Sequence, residues 1–381
     1  VFLVAMGKRL AITDRVAIQE SFHHTPTRNL GTLILYIMVA TLVAEGLGAL
    51  ILAARWLYTG RFQTVAETIY HAVFHSVSAF CNAGFALYPD NLVSFHDDPV
   101  VVFAISSLIV AGGIGFLAAL DIKEYLQQTC LHRFWPKLVR ERVAAIRPRP
   151  RLSLHTKFVL IVTVALLLIG TVSYYMLERN ALFAQMPAGQ AWMNSYFCAV
   201  TARTAGFNLI GYGEMGGAGL LCTMVLMFIG ASPGSTGGGI KTSTFGVLLA
   251  NAFSRWSGRR GLHAFKRTVS EETLEKAESI AIAAVALVIL ASSALMASET
   301  VGLSSGQSQE RFLSIVFETI SAFGTVGLSM GLTPLLTSTG KFIVALVMFI
   351  GRTGPLTLAL AIALRRKRPD YSYAEENLMV G

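Results

Sequence analysis

The stretch Gly230-Ala231-Ser232-Pro233-Gly234-Ser235-Thr236-Gly237-Gly238-Gly239-Ile240-Lys241 decides how this chain is read. It closes an uncharged run from Met215 to Ile240 that is long enough to cross a bilayer. Yet five glycines and a proline fall where a spanning helix should be continuous. A helix broken at membrane depth frees backbone N–H and C=O groups that hydrocarbon cannot satisfy. Such a break must be packed in protein or face a water-filled cavity. The stretch is therefore a candidate part of a transport pathway.

The surrounding chain supports a membrane setting. Of its 381 residues 54% are hydrophobic and 14% charged, against about 25% charged in a soluble domain. The windows Pro99–Leu120, Phe158–Leu177 and Ile280–Ser298 are also free of charge, each near the ~20 residues a spanning helix needs. The net charge is +9, and 22 of the 31 basic residues lie in Lys8–Arg15, Lys123–Lys157, Arg255–Lys276 and Arg365–Arg368. The positive-inside rule makes these segments cytoplasmic. Membrane orientation accounts for the basic clusters, so no nucleic-acid partner is expected. Cys81, Cys130, Cys198 and Cys222 form no CxxC pair and read as free buried thiols. The chain opens with Val1–Met6, which looks like the cytoplasmic end of a helix begun upstream.

One unit recurs three times. Phe74–Phe85, Tyr196–Phe207 and Phe317–Leu328 align without gaps, each with an aromatic ten residues before a glycine. The glycines, Gly84, Gly206 and Gly327, stand 122 and 121 residues apart. Each stretch follows an outer spanning helix, expected over Leu30–Ala54, Phe158–Leu177 and Ile280–Ser298, and a short amphipathic helix, expected over Thr64–Phe80, Gln190–Val200 and Arg311–Phe323. An inner helix comes next, over Pro99–Leu120, Gly216–Asn251 and Phe342–Leu364. At 1.5 Å per residue the short helices do not cross. Each must enter and leave on the outer side as a re-entrant pore loop. Two crossings per unit give every unit the same orientation. This argues against transporters built from inverted repeats.

The fold class expected is an all-α polytopic membrane protein of repeated helix–pore loop–helix units around a central pore, three of them complete. The divisions are 1–26, the cytoplasmic end of a truncated first unit; 27–130, unit two; 131–155, a basic linker containing Arg147-Pro148-Arg149-Pro150-Arg151; 156–258, unit three with the broken helix; 259–278, a connector; 279–368, unit four; and 369–381, a cytoplasmic tail. Ser254–Glu278 mixes both signs and reads as a short surface helix. The apolar tail end Leu378-Met379-Val380 invites docking against another chain.

A dehydrated cation needs several carbonyl oxygens around it, and turning successive carbonyls inward demands backbone angles that glycine tolerates cheaply. The candidate filter residues are Asn82, Ala83, Gly84 and Phe85; Thr204, Ala205, Gly206 and Phe207; and Thr325, Val326, Gly327 and Leu328. The last set shares Thr-Val-Gly with the potassium-channel filter Thr-Val-Gly-Tyr-Gly. Gly230–Gly234 also matches the serine-hydrolase pattern G-x-S-x-G. That pattern needs a strand-to-helix elbow and a histidine partner, and the later inner helices carry no histidine. The phosphate-loop pattern fails because Ile240 separates Gly239 from Lys241. No enzyme activity is expected.

At these residues the chain resembles the Trk/Ktr/HKT superfamily of potassium transporters, and most closely its bacterial Ktr and Trk pore subunits. The specific pieces are Asn82–Phe85, Arg203–Phe207, Ser232–Thr242 and Gly351-Arg352-Thr353-Gly354-Pro355. The ending Ala374–Gly381 looks more like the Ktr branch. The resemblance implies potassium uptake across the bacterial plasma (inner) membrane, with sodium as a coupled or permeating ion left open. It implies four units around one pore, a homodimer, and a cytoplasmic nucleotide-binding regulatory ring of the KtrA/TrkA kind that carries the nucleotide. Potassium at the filter would be the one metal ion. Only three filter segments are present, so the residue at the first filter position, which bears on potassium against sodium, is not read.

The resemblance also implies that Gly230, Ala231, Ser232, Pro233, Gly234, Ser235, Thr236, Gly237, Gly238, Gly239, Ile240 and Lys241 form an intramembrane gating loop below the filter. The residues themselves fit a mobile break whose Ser232, Ser235 and Thr236 offer hydroxyls to water or cations. Lys241 would cap carbonyls of the broken helix, repel cations, or snorkel outward. A lone arginine in a spanning helix faces an interior cavity. The resemblance further implies that Arg352 is a pore barrier below the filter, with pairing to Glu45 or Glu318 as the structural alternative. Arg203 would brace the filter from behind, and His71 and His75 read as packing residues. The other inner helices contain Gly112-Gly113 and Gly351–Pro355 but no such long interruption, so the break is expected to belong to unit three alone.

Overall fold

A computed structural model describes residues 30–134, 151–258, 262–265 and 267–354. Residues 1–26, expected as the end of a first unit, most of the 131–155 linker, Pro355 and the tail lie outside the described residues. The helices are α1 Leu30–Thr59, α2 Val65–Phe80, α3 Pro99–Ile114, α4 Phe116–Phe134, α5 Leu154–Glu178, α6 Ala188–Thr201, α7 Gly217–Phe228, α8 Thr242–Trp256, α9 Glu271–Glu299, α10 Ser305–Gly324 and α11 Ser338–Thr353. Ile34–Thr59, α5 and α9 are long and apolar enough to cross a membrane. The α3 helix and Phe116–Gln127 meet that standard as a pair bent by 98°.

The same order of elements appears three times: a long outer helix, a short helix, a glycine segment, a three-residue helical turn and an inner helix. The turns are Val93–Phe95, Tyr212–Glu214 and Thr333–Leu335. Local sequence sets the boundaries. Thr64 caps α2 by accepting from Glu67 N. Asp98 caps α3, with Pro99 at its first turn. A Ser304–Gln307 capping box opens α10. Such side chains satisfy the amide groups that the first helical turn leaves without partners.

Burial follows the units. One core joins Leu52 and Trp56 of α1, Ala72 and Ala79 of α2, and Val101, Ile105 and Ile109 of α3. A second joins Tyr174 of α5, Cys198 and Ala199 of α6, and Leu220, Met224 and Met227 of α7. This second core also takes in Phe317, Val326 and Leu328, so the fourth unit's glycine segment is seated on the third unit. Outward faces stay apolar, with Leu42, Leu50, Leu168 and Leu290 exposed, as lipid-facing helices require.

Two expectations are corrected. The connector is not a surface helix. The α8 helix ends at Trp256, Gly258 takes φ +66°, and His263–Ala264 pairs antiparallel with Arg267–Thr268. The acidic stretch from Glu271 is already α9, capped by Ser270. Nor is Pro99–Leu120 one straight span. It breaks at Gly115, where φ is 88° and ψ 145°, and α11 ends at Gly354 in nearly the same conformation, φ 88° and ψ 135°. Two inner helices, α3 and α11, thus end at a glycine in this conformation. In unit three the two halves of the inner helix are separated by an inserted stretch that contains Gly230–Lys241.

Candidate ion pathway

Each short helix leads into residues held in the left-handed region. Asn82, Thr204 and Thr325 have φ of 50°, 74° and 49°, and two residues on Gly84, Gly206 and Gly327 have φ of 72°, 81° and 91°. Glycine accepts such angles freely, whereas a β-branched threonine rarely does. Strain of this kind is about 1–3 kcal/mol per residue and persists only where the surroundings impose it. The three segments meet at their glycines. A Cβ on Gly84 would lie 2.5 Å from Ala205 O and 3.0 Å from Gly206 Cα, and one on Gly206 would lie 2.3 Å from Val326 O and 3.4 Å from Gly84 Cα. A Cβ on Gly327 would have only Gly206 Cα nearby, at 3.7 Å. Gly327 is therefore open on its other side among the described residues.

Short hydrogen bonds fix the segments. Ser78 Oγ donates to Phe85 O at 2.8 Å and Thr201 Oγ1 to Phe207 O at 2.7 Å. Asn91 joins two segments: its Nδ2 donates to Gly84 O at 3.3 Å, and its Oδ1 accepts from Asn208 N at 3.1 Å. The Asn82 amide, turned so that its nitrogen donates to Ile109 O at 3.2 Å and Ala79 O at 3.1 Å, presents its oxygen to the Thr204 hydroxyl. Phe207 and Leu328 are buried, whereas Phe85 is 70% exposed. Arg203 is buried with Nη2 3.4 Å from Thr163 Oγ1 on the outer helix α5.

The Gly230–Lys241 loop lies against the bases of all three segments. Its neck is closed by a parallel bridge between Ile229 and Ile240 and by Gly230, where a Cβ would come 1.9 Å from Gly238 O. A Cβ on Gly237 would strike Thr204 Oγ1 at 2.1 Å, and one on Gly238 would strike Thr325 Oγ1 at 2.4 Å. Thr236 Oγ1 reaches Gly112 O at 3.3 Å and Phe80 O at 3.5 Å. The loop tip holds the bend in the second unit's inner helix: Ser232 N donates to Gly113 O and Phe116 N to Gly234 O, both at 3.1 Å. Pro233 O leaves no room for a side chain at Gly115, 2.4 Å from a Cβ there. This docking is the physical reason α3 and α4 do not form one rod.

The loop hydroxyls expected to face water or cations instead bond to protein. Thr242 Oγ1 and Ser232 Oγ lie 3.0 Å apart, and Ser235 Oγ accepts from Gly237 N at 3.3 Å. Lys241 does not snorkel outward; its Nζ donates to Gly237 O at 2.7 Å. Arg352 is exposed on α11 and near enough to Lys241 for their charges to interact. It forms no ion pair with Glu45 or Glu318. The Glu318 carboxylate accepts from Ser329 and Thr333, and Glu45 lies 3.8 Å from Cys81 Sγ. His75 is buried and packs among Trp56, Phe74 and Tyr88, while His71 stacks on Phe62.

Sequence reading missed a further pair. Glu178 and Glu299 stand 28 residues before Gly206 and Gly327 respectively, at the last turn of an outer helix. Both are buried at the start of an inner helix. Glu178 Oε1 accepts from Gly216 N at 3.1 Å, and Glu299 Oε2 accepts from Thr337 N at 3.1 Å. Gly219 and Gly340, 13 residues after Gly206 and Gly327 respectively, leave space for these carboxylates; a Cβ on either would sit 2.2 Å from Oε1. A glutamate closing an apolar run, with a glycine at matching distance in two units, was the available signal. In unit two Arg55 Nε reaches Asp98 at 2.9 Å across the same joint.

Membrane-length outer helices, short helices too short to cross, and glycine segments gathered against the Gly230–Lys241 loop fit a multi-pass helical membrane transport protein. The chain belongs to the TrkH family of cation transport proteins, whose model matches residues 15–372. It is 37% identical over 384 residues to Ktr system potassium uptake protein B of Vibrio alginolyticus, covering 100% of this chain and 77% of that protein. It is 34% identical over 383 residues to potassium/sodium uptake protein NtpJ of Enterococcus hirae, covering 100% of this chain and 78% of that one. The crystal structure of the potassium transporter TrkH from Vibrio parahaemolyticus shares the fold, with a TM-score of 0.60 at 16% identity over 89% of this chain and 65% of that one.

Proposed function

We propose that this chain lines a potassium-uptake pathway across the bacterial plasma membrane, with Asn82–Phe85, Thr204–Phe207 and Thr325–Leu328 as filter segments and Gly230–Lys241 as the gate beneath them. The observation that carries this is the meeting of Gly84, Gly206 and Gly327 at positive φ, with Ala205 O and Val326 O at the contacts. Rigid backbone carbonyls at one point can replace the hydration shell of a dehydrated cation. A conducting ring needs a fourth segment on the open side of Gly327. Glycine at three positions favours potassium. Sodium as a second permeating or coupled ion is supported by the likeness to a protein named for potassium and sodium uptake.

The loop is a closed gate in this reading. It lies across the segment bases, and Lys241 and Arg352 add positive charge that opposes cation entry. The pore works as a homodimer in the membrane, under a cytoplasmic ring that binds the nucleotide. The test is expression of the four-unit protein in a bacterium lacking its own potassium uptake. Restored growth at low potassium, with potassium-dependent rubidium uptake, is expected. Unrestored growth despite normal membrane abundance would overturn the reading. An alternating-access transporter would instead show low, saturating flux with an obligatory second ion.

A further inference from the structure

The residue nine positions before each filter glycine is His75, Phe197 or Glu318. All three are buried on the short helices α2, α6 and α10. In two of the units this residue anchors the chain just as it leaves the filter. His75 Nδ1 lies 2.7 Å from His71 O, so that nitrogen carries the hydrogen. Its Nε2 is then an acceptor, and Leu87 N donates to it at 3.3 Å. Glu318 does the same work with a carboxylate. Its Oε2 accepts from Ser329 Oγ at 2.8 Å, and its Oε1 accepts from Thr333 Oγ1. Ser329 in turn accepts from Gly331 N at 3.1 Å and lies 3.1 Å from the Thr333 hydroxyl.

The fourth unit depends most on this anchor. In units two and three a short-helix hydroxyl holds the carbonyl that follows the glycine, through Ser78 and Thr201. In unit four the position matching Ser78, six residues before the glycine, is Ser321, and no side chain among the described residues donates to Leu328 O. Gly327 also has the loosest surroundings of the three glycines, with a single atom within 4 Å of a Cβ. Backbone bonds from Thr325 N to Ala322 O and Val326 N to Ser321 O hold the near end of the segment; the side-chain hold comes from its far end. Hydrogen bonds to an ionised acceptor are shorter and stronger than neutral ones.

We propose that Glu318, acting through Ser329 and Thr333, is a positioning residue that sets the ion selectivity of the fourth-unit filter segment. The inference rests on the filter assignment made above. The test measures potassium and sodium uptake by the four-unit protein carrying Glu318→Ala or the double change Ser329→Ala/Thr333→Val, with Gly327→Ser as reference. Both anchor variants should lose selectivity for potassium over sodium by about tenfold, the size expected when hydrogen bonds to a charged group are lost. Glu318→Asp, which keeps the charged acceptor, should recover part of it. Where Glu318→Ala does not reach the membrane, the double variant, which leaves the carboxylate in place, decides the question. Unchanged selectivity in a folded anchor variant, with Gly327→Ser impaired, would overturn the anchor alone. Unchanged selectivity in Gly327→Ser as well would overturn the filter assignment on which it rests.

Discussion

Thr204 and Thr325 hold φ of 74° and 49° although each carries a branched Cβ, a backbone state that a side chain of this kind resists. Nothing in the residue type announces that conformation, so these positions were not legible as strained. The glycines two residues on were legible, because three at near-equal spacing in matching local sequence need a common cause. The structure separates them in a way the sequence does not. Gly206 has no room for a side chain, with Val326 O 2.3 Å from a Cβ, whereas Gly327 has room but an unfavourable φ of 91°. Gly206→Ser should therefore disturb assembly of the segments, read as reduced membrane abundance, while Gly327→Ser should leave abundance intact. Gly238→Ala should push the loop from Thr325, 2.4 Å from the new carbon, and raise basal flux. Unchanged flux in a folded Gly238→Ala protein would mean that the loop does not need this contact to close.

At the scale of elements, the break in unit three was readable because glycines and a proline interrupt an apolar run. The break at Gly115 was not, because Ile109–Leu120 reads as continuous apolar helix and the bend is imposed by a distant segment, through Gly234 O on Phe116 N. The connector was misread because its acidic half is the start of α9. Deleting Ser235–Gly239 should raise flux by removing the portion of the loop lying against Thr204 and Thr325. If flux stays as regulated as in the intact protein, the loop is structural. The Glu299 clamp acts on stability. Its carboxylate joins the end of α9 to Thr337 N and Oγ1 at the start of α11. Glu299→Ala should cost about 2–3 kcal/mol, in the range for hydrogen bonds to a charged group, read as a lower melting temperature with selectivity unchanged.

For the whole molecule, charge clusters and apolar windows made the class readable, and the repeats made the common orientation of the units readable. Distant pairings needed coordinates. The fourth unit's segment sits on the third unit's core through Val326 and Leu328, Asn91 ties the second segment to the third, and the loop touches all three. These contacts join the three glycine segments, the Gly230–Lys241 loop and the inner-helix bend at Gly115 into one connected body. The central claim is that Gly84, Gly206 and Gly327 form the selective site. The measurement that tests it most directly is the potassium-to-sodium permeability ratio of the four-unit protein with Gly327→Ser, compared with the unaltered protein at equal membrane abundance. A fall of about tenfold, equivalent to ~1.4 kcal/mol of discrimination, is the expected result. An unchanged ratio would contradict the account.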